Sequence, residues 1–309
     1  MSKSIIFPGQ GSQYLEMGKN LFENFSYIKD LYYEVDDALN FKLSDVILKN
    51  QDKNLLNFTQ NTQPAIMITS YAIFKVLKIE KNLNIEDFKY CAGHSLGEYT
   101  ALLVAESIDL TQTAKILFNR GKFMQSAVPL GQGSMIAVLN INCEEMENFL
   151  SKKKYSSVEI SNDNCPGQVV LSGSLEDINL ISIEIKAKLK KKYVTLPVSA
   201  PFHCGLMKDA EDQMNEFLKN INFRKPKIPI ISNYSAEVQE DPKNIKDLLI
   251  KQICGRVRWR ESINLMSSSG VKNILELGPG KTLTNMMKRF KNDIKTLNIE
   301  NFEDIKSYD

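Results

Sequence analysis

The sequence predicts an α/β fold: a hydrolase-like large domain built on a mostly parallel sheet, with an inserted ferredoxin-like (βαββαβ) small subdomain. Three observations carry this expectation. Residues 4–7 form a short apolar run that feeds the turn Pro8-Gly9-Gln10-Gly11-Ser12 and then a helical stretch. Residues 88–92 repeat the pattern, passing through a tight turn at 93–97 into apolar positions at helical spacing over 98–105. Between Gly131 and Pro197 the order becomes strand (134–139), helix (143–154), strand (158–161), strand (168–172), helix (175–191) and strand (193–198).

The other elements complete a large domain around that insertion. A helix is expected over 111–125, capped by Thr111 and closed near Pro129; strands are expected over 228–232 and 271–276, with a helix over 244–253 between them. The large domain is therefore discontinuous, 1–128 and 198–309, and the small subdomain occupies 129–197. A chain of 309 residues is long enough for one full core with an insertion. The lysine-rich stretches 152–154 and 186–192 read as solvated faces of the subdomain helices.

Composition excludes several classes of function. An apolar fraction of 43% with 25% charged residues is ordinary for a globular enzyme, and a net charge of +2 leaves no nucleic-acid footprint. Residues 1–7 lack the apolar core of a signal peptide and no later run approaches a membrane span, so a soluble, cytoplasmic protein is expected, with no nucleic acid and no membrane among its partners. Cys91, Cys143, Cys165, Cys204 and Cys254 are scattered and contain no C-x-x-C pair, which argues against a disulfide framework or a structural zinc. Histidines occur only at His94 and His203, and no carboxylate spacing completes a metal site.

Gly93-His94-Ser95-Leu96-Gly97 matches G-x-S-x-G between an expected strand and an expected helix, the context of a nucleophile elbow. Glycines without Cβ atoms let the crowded turn project the serine from the sheet edge, and the Leu96 amide at the helix start points toward a developing oxyanion. The alternative is a glycine turn with a helix-capping serine. A serine nucleophile needs a base. His94 adjoins Ser95 and should leave the elbow in another direction, as a packing or orienting residue, so His203, in Ala200-Pro201-Phe202-His203, is the candidate base by elimination.

These motifs resemble the malonyl-CoA:acyl carrier protein transacylase family of fatty acid synthesis, over nearly the whole chain. The resemblance rests on Phe7-Pro8-Gly9-Gln10-Gly11-Ser12-Gln13, Gly93-His94-Ser95-Leu96-Gly97-Glu98, Arg120-Gly121-Lys122-Phe123-Met124-Gln125, Asn164-Cys165-Pro166-Gly167-Gln168, Ala200-Pro201-Phe202-His203 and Glu276-Leu277-Gly278-Pro279-Gly280. It implies Ser95 as nucleophile, His203 as general base, the backbone amides of Gln10 and Leu96 as oxyanion hole, and a main-chain carbonyl at Gln252 that orients the histidine. It implies that Arg120 grips the carboxylate of the malonyl group, a task suited to a planar guanidinium. By spacing alone, an isolated helical arginine reads as a surface residue. His94, Asn164 and Phe202 are implied as supporting residues, Phe202 leaving little room for the methyl of methylmalonyl. Cys254-Gly255-Arg256-Val257-Arg258-Trp259 departs from the commoner Asn-Pro form ahead of the tryptophan. Gly280-Lys281-Thr282 looks like the tail of a phosphate-binding loop, but Leu275 stands where that motif requires its first glycine.

The resemblance implies ping-pong transfer from malonyl-CoA through a seryl ester to the phosphopantetheine thiol of an acyl carrier protein, by a monomer with no cofactor and no metal. A serine thioesterase, a transferase serving polyketide synthesis and a catalytically idle carrier-binding module are the other readings.

Overall fold

The computed structural model describes residues 2–49, 52–152 and 155–308. In chain order the strands are β1 (Lys3–Phe7), β2 (Tyr90–Gly93), β3 (Gly133–Leu139), β4 (Glu159–Cys165), β5 (Gln168–Ser174), β6 (Tyr193–Thr195), β7 (Ile230–Ile231), β8 (Val238–Gln239), β9 (Asn273–Leu277) and β10 (Lys295–Ile299). They form a six-stranded sheet of order β10-β9-β1-β2-β7-β8 and a four-stranded sheet of order β4-β5-β3-β6. In the first, every pairing is parallel except β7 with β8. In the second, every pairing is antiparallel, and the order is that of a ferredoxin-like unit.

Side-chain alternation explains how each sheet finds its layers. In β1, Ile5 and Phe7 join the larger apolar core on one face while Ile6 joins Ala92, Ile231 and Trp259 on the other. Burial on both faces is what a parallel sheet between helices requires. In β3, Ile136 and Val138 pack with Ile178 and Ile181 under the subdomain helices, while Met135 and Ala137 face the large core. The small sheet thus offers a second apolar face to the large domain, and a cleft forms between them.

Several boundaries differ from the sequence expectation. The helix expected from Thr111 is Leu110–Ser126, and its cap is Asp109, whose side chain accepts from Gln112 N at 2.8 Å. Thr111 donates its hydroxyl to that carboxylate at 3.0 Å, so it supports the cap without being it. The helix expected over 244–253 is Pro242–Lys251, capped by Asp241. The subdomain helices are Cys143–Leu150 and Leu175–Glu184, the second extended by a π turn over Ile185–Leu189; residues 153 and 154 of the first expectation lie outside the described residues. The strand expected over 193–198 spans only Tyr193–Thr195, and that over 228–232 only Ile230–Ile231.

The 22-residue helix Thr59–Glu80 has no counterpart in the sequence reading. Its opening Thr-Gln-Asn-Thr-Gln-Pro is polar and contains Pro64, signals that read as a loop. Yet Thr59, Asn61, Thr62 and Gln63 are all buried, since this segment runs through the middle of the molecule. Among the described residues, no helix is long and apolar enough to cross a membrane.

Candidate active site

The cleft opens at the carboxyl ends of β1 and β2, beside the point where β1 is flanked by β2 on one side and β9 on the other. Open α/β sheets place their sites at such crevices. A cavity of about 270 Å³ lies there, lined from the large sheet by Gln10, Ser95 and Leu96 and from the small sheet by Met135, Ala137 and Val170.

Ser95 flanks the helix Leu96–Val104 with φ 53° and ψ −108°, a backbone conformation that needs support from its surroundings. A Cβ on Gly93 would stand 2.0 Å from Gly97 C and O, and one on Gly97 would stand 2.4 Å from Phe7 O. Only glycine at both positions lets the turn close on itself and against β1. Asn233, just beyond β7, completes the support: its Oδ1 accepts from Ser95 N at 2.6 Å and its Nδ2 donates to Gly93 O at 2.7 Å.

His203 lies across the cleft in a left-handed backbone conformation, φ 59°, and its Nε2 is 2.8 Å from Ser95 Oγ. Its Nδ1 is 2.8 Å from the Gln252 main-chain carbonyl. A carbonyl only accepts, so Nδ1 carries the hydrogen and Nε2 is free to accept the serine hydroxyl. Burial, and after it the charge of Arg120, hold the imidazole down at about 3, so it is neutral at physiological pH. In an unfolded chain the same group takes up a proton below about 6.5. Wild-type stability should therefore fall relative to His203→Gln by about 2 kcal/mol between pH 7 and pH 5, near 1.4 kcal/mol per unit below 6.5. Urea unfolding of both proteins at the two pH values checks this; an unchanged difference would mean the imidazole is not held neutral.

Arg120 is 1% exposed, so the helical arginine is not a surface residue. Its Nη1 donates to Gln63 Oε1 at 2.7 Å, and its Nη2 to Gln252 Oε1 at 2.8 Å and to Ser95 Oγ at 3.1 Å. The guanidinium carbon is 5.5 Å from the centre of the Tyr99 ring. Nε and the Tyr99 hydroxyl are buried, and neither has a well-formed hydrogen bond among the described residues, though the hydroxyl lies within the field of the guanidinium. No carboxylate among the described residues comes within ion-pair distance of Arg120. The nearest buried carboxylate, Glu98, reaches Arg120 only through the Gln252 amide, so the guanidinium has no direct ion pair and the site is disposed toward an anion. Gly121 makes the arrangement possible, since a Cβ there would lie 2.5 Å from Gln60 Cα and push apart the two helices that bring Gln63 to Arg120.

The remaining sequence candidates fall around this centre. Gln10 and Leu96 line the cavity, and no described acceptor takes either main-chain N–H. His94 Nε2 is 2.9 Å from Asn164 Oδ1, and its ring meets Trp259 edge-on at 5.7 Å, away from the serine hydroxyl. Phe202 lines the cavity and is buried. Gln252 contributes both its main-chain carbonyl to His203 and its side chain to Arg120. The Gly280-Lys281-Thr282 loop also borders the cleft, but the helix it opens donates Leu283 N and Thr284 N to Glu276 at 3.1 and 2.7 Å, so those amides are already taken.

Three residues at the centre were not singled out by the sequence. Gln63 sits on the unexpected helix. Asn233 follows the expected strand 228–232 with no motif to mark it. Glu98, inside the elbow motif, is 2% exposed and accepts from Asn233 N at 3.0 Å and Gln252 Nε2 at 2.7 Å. Burial pushes its carboxyl up to about 7, against those hydrogen bonds and the charge of Arg120.

The family described as the acyl transferase domain matches residues 5–303. The chain is 38% identical over 308 residues to the malonyl CoA-acyl carrier protein transacylase of Bacillus subtilis, covering 99% of this chain and 96% of that one. Among solved structures, the acyl-carrier-protein-S-malonyltransferase of Bartonella henselae superposes with a TM-score of 0.94 at 41% identity, covering 99% of this chain and 98% of that one. A malonyl-transacylase solved in complex with a type II PKS acyl-carrier protein superposes equally well, with a TM-score of 0.94 at 33% identity over 99% of this chain and 98% of that one.

Proposed function

The chain belongs to the malonyl CoA-acyl carrier protein transacylase family, and from that premise we propose that it moves malonyl through an ester on Ser95, with His203 as base and Arg120 as the carboxylate grip. It is a malonyl-CoA:acyl carrier protein S-malonyltransferase of fatty acid synthesis. The observation that carries the residue assignment is the guanidinium held 3.1 Å from a serine hydroxyl that is itself 2.8 Å from a neutral imidazole. A three-carbon diacid has one methylene between its two carboxyl carbons. A cation so close to the nucleophile therefore suits malonyl, whose free carboxylate stays near the carbonyl under attack.

The steps follow from these groups. Malonyl-CoA enters the cleft and its carboxylate meets the Arg120 guanidinium, which lines the cavity beside Ser95. Its thioester oxygen lies toward the Gln10 and Leu96 amides, which take up the developing negative charge. Ser95 Oγ attacks the thioester carbon as its proton passes to His203 Nε2; the carbon–sulfur bond breaks, and the proton leaves on the coenzyme A thiol. The carrier's phosphopantetheine thiol then gives its proton to His203 and attacks the ester, which returns the hydroxyl to Ser95. The Gln252 carbonyl keeps the imidazole in the required tautomer throughout, in the place an aspartate holds elsewhere. Phe202, packed against the cavity, crowds an α-methyl group.

In the same reading the enzyme is a cytoplasmic monomer, needs no metal or redox cofactor, and divides at 128/129 and 197/198 into its two parts. The partner is an acyl carrier protein, as the family's name states. Intact-protein mass measurement tests the chemistry. With malonyl-CoA alone, one malonyl group should accumulate on the protein and then disappear when a phosphopantetheinylated carrier is added. Free malonate without any adduct would instead identify a hydrolase.

A further inference from the structure

Glu98 is a buried carboxylate that the reaction as written does not use. It is in the first turn of the helix that Ser95 opens, yet its Oε2 reaches across to Gln252 Nε2 and to the Asn233 amide rather than to its own helix. Both partners hold reacting groups. Gln252 supplies Oε1 to Arg120 and its main-chain carbonyl to His203, and Asn233 supplies Oδ1 to the Ser95 amide. One oxygen therefore joins the supports of nucleophile, base and arginine.

The chemistry of an amide decides what that oxygen does. Gln252 lies between Glu98 and Arg120, and its two ends differ: one donates, the other accepts. An ionised carboxylate is acceptor-only, while a guanidinium is donor-only. Only one orientation satisfies both, with Nε2 on Glu98 and Oε1 on Arg120; the flipped amide would set donor against donor and acceptor against acceptor. We propose that the Glu98 carboxylate is a positioning residue, which locks the Gln252 amide so that Arg120 is held ready for a substrate carboxylate and so sets the enzyme's preference for malonyl over an uncharged acyl group. This rests on the reading of Arg120 given above.

A neutral glutamine at position 98 would fill the same space without burying a charge; its oxygen must still meet the Asn233 N–H, so Gln252 Nε2 keeps its orientation, helped by the Ser95 carbonyl, but through a neutral hydrogen bond about half as strong, and the lock is loosened. Protonation has the same consequence, because the proton goes to Oε1 and leaves Oε2 an uncharged, weaker acceptor for Gln252. Burial places that change near pH 7. The groups that face Glu98 do not titrate there. Arg120 stays charged, Tyr99 is pushed up to about 12, His203 is held down at about 3, and Ser232, Asn233 and Gln252 are neutral.

The test compares wild type, Glu98→Gln and Ser95→Ala with malonyl-CoA and acetyl-CoA as donors, from pH 6 to pH 8.5. At pH 8.5, Glu98→Gln should raise KM for malonyl-CoA and cut the malonyl-to-acetyl ratio of kcat/KM about tenfold, the worth of one charge-assisted hydrogen bond, with kcat less affected. The wild-type ratio should fall as pH drops through 7, whereas that of the variant stays flat. A ratio that is pH-independent in wild type, or unchanged in Glu98→Gln, overturns the inference; if the variant does not fold, the wild-type profile alone decides. A malonyl adduct surviving in Ser95→Ala would instead overturn the site assignment itself.

Discussion

Replacing Ser95 with alanine should abolish the malonyl adduct and lower transfer to the carrier by roughly 10⁴-fold or more, because no other group can form the ester through which transfer proceeds. The neighbours make the substitution readable. Ser95 N remains available to Asn233, and the glycines at 93 and 97 that shape the turn are untouched, so the fold should persist. Removing the hydroxyl also frees His203 Nε2 and one donor of Arg120. Malonyl-CoA should thus still bind, and mass measurement together with binding of the donor separates loss of chemistry from loss of the site. A variant that still carries one malonyl group would place the nucleophile elsewhere.

Arg120→Ala should reduce malonyl transfer by roughly 10²- to 10³-fold, the scale of leaving a buried carboxylate without its charged partner. Acetyl transfer should fall much less, so that the preference between the two narrows or inverts. Two opposed effects act. The variant loses the cation that the malonyl carboxylate needs, and it also relieves part of the electrostatic depression of His203, to which the Arg120 charge contributes after burial. A better base partly offsets the lost Nη2 hydrogen bond to Ser95 Oγ. Steady-state kinetics with both donors decide the point; equal losses would mean that Arg120 supports the architecture without reading the carboxylate.

Much of this site is legible in the sequence where the constraint is local. The elbow follows from steric demands within five residues, since Gly93 and Gly97 meet each other and β1, and G-x-S-x-G records that demand directly. The apolar run 134–139 likewise anticipates a strand, and the order of elements between 131 and 197 anticipates the ferredoxin-like sheet. His203 could be reached by elimination because only two histidines exist. The cap is Asp109 rather than Thr111, because both residue types cap helices and the hydrogen bond between them is not visible in one dimension. The helix Thr59–Glu80 is not legible in the sequence because it is buried all round, polar residues included, so its apolar positions show no amphipathic spacing.

The sequence by itself determined the α/β class, the small inserted sheet, the serine at a strained turn and the set of side chains available for acyl chemistry. Each of these depends on residues close together in the chain, whose spacing reflects backbone sterics and burial. Only the tertiary structure decided which groups meet: His203 lies 108 positions from Ser95, Gln252 lies 132 from Arg120, and Asn233 lies 138 from Ser95. Glu98 and Gln63 acquire significance only when the sheet ends and the buried helix bring them to those partners. Contacts closed by packing leave no periodic trace along the chain, because the free energy that holds them comes from the burial of the whole core rather than from the residues next to them in sequence.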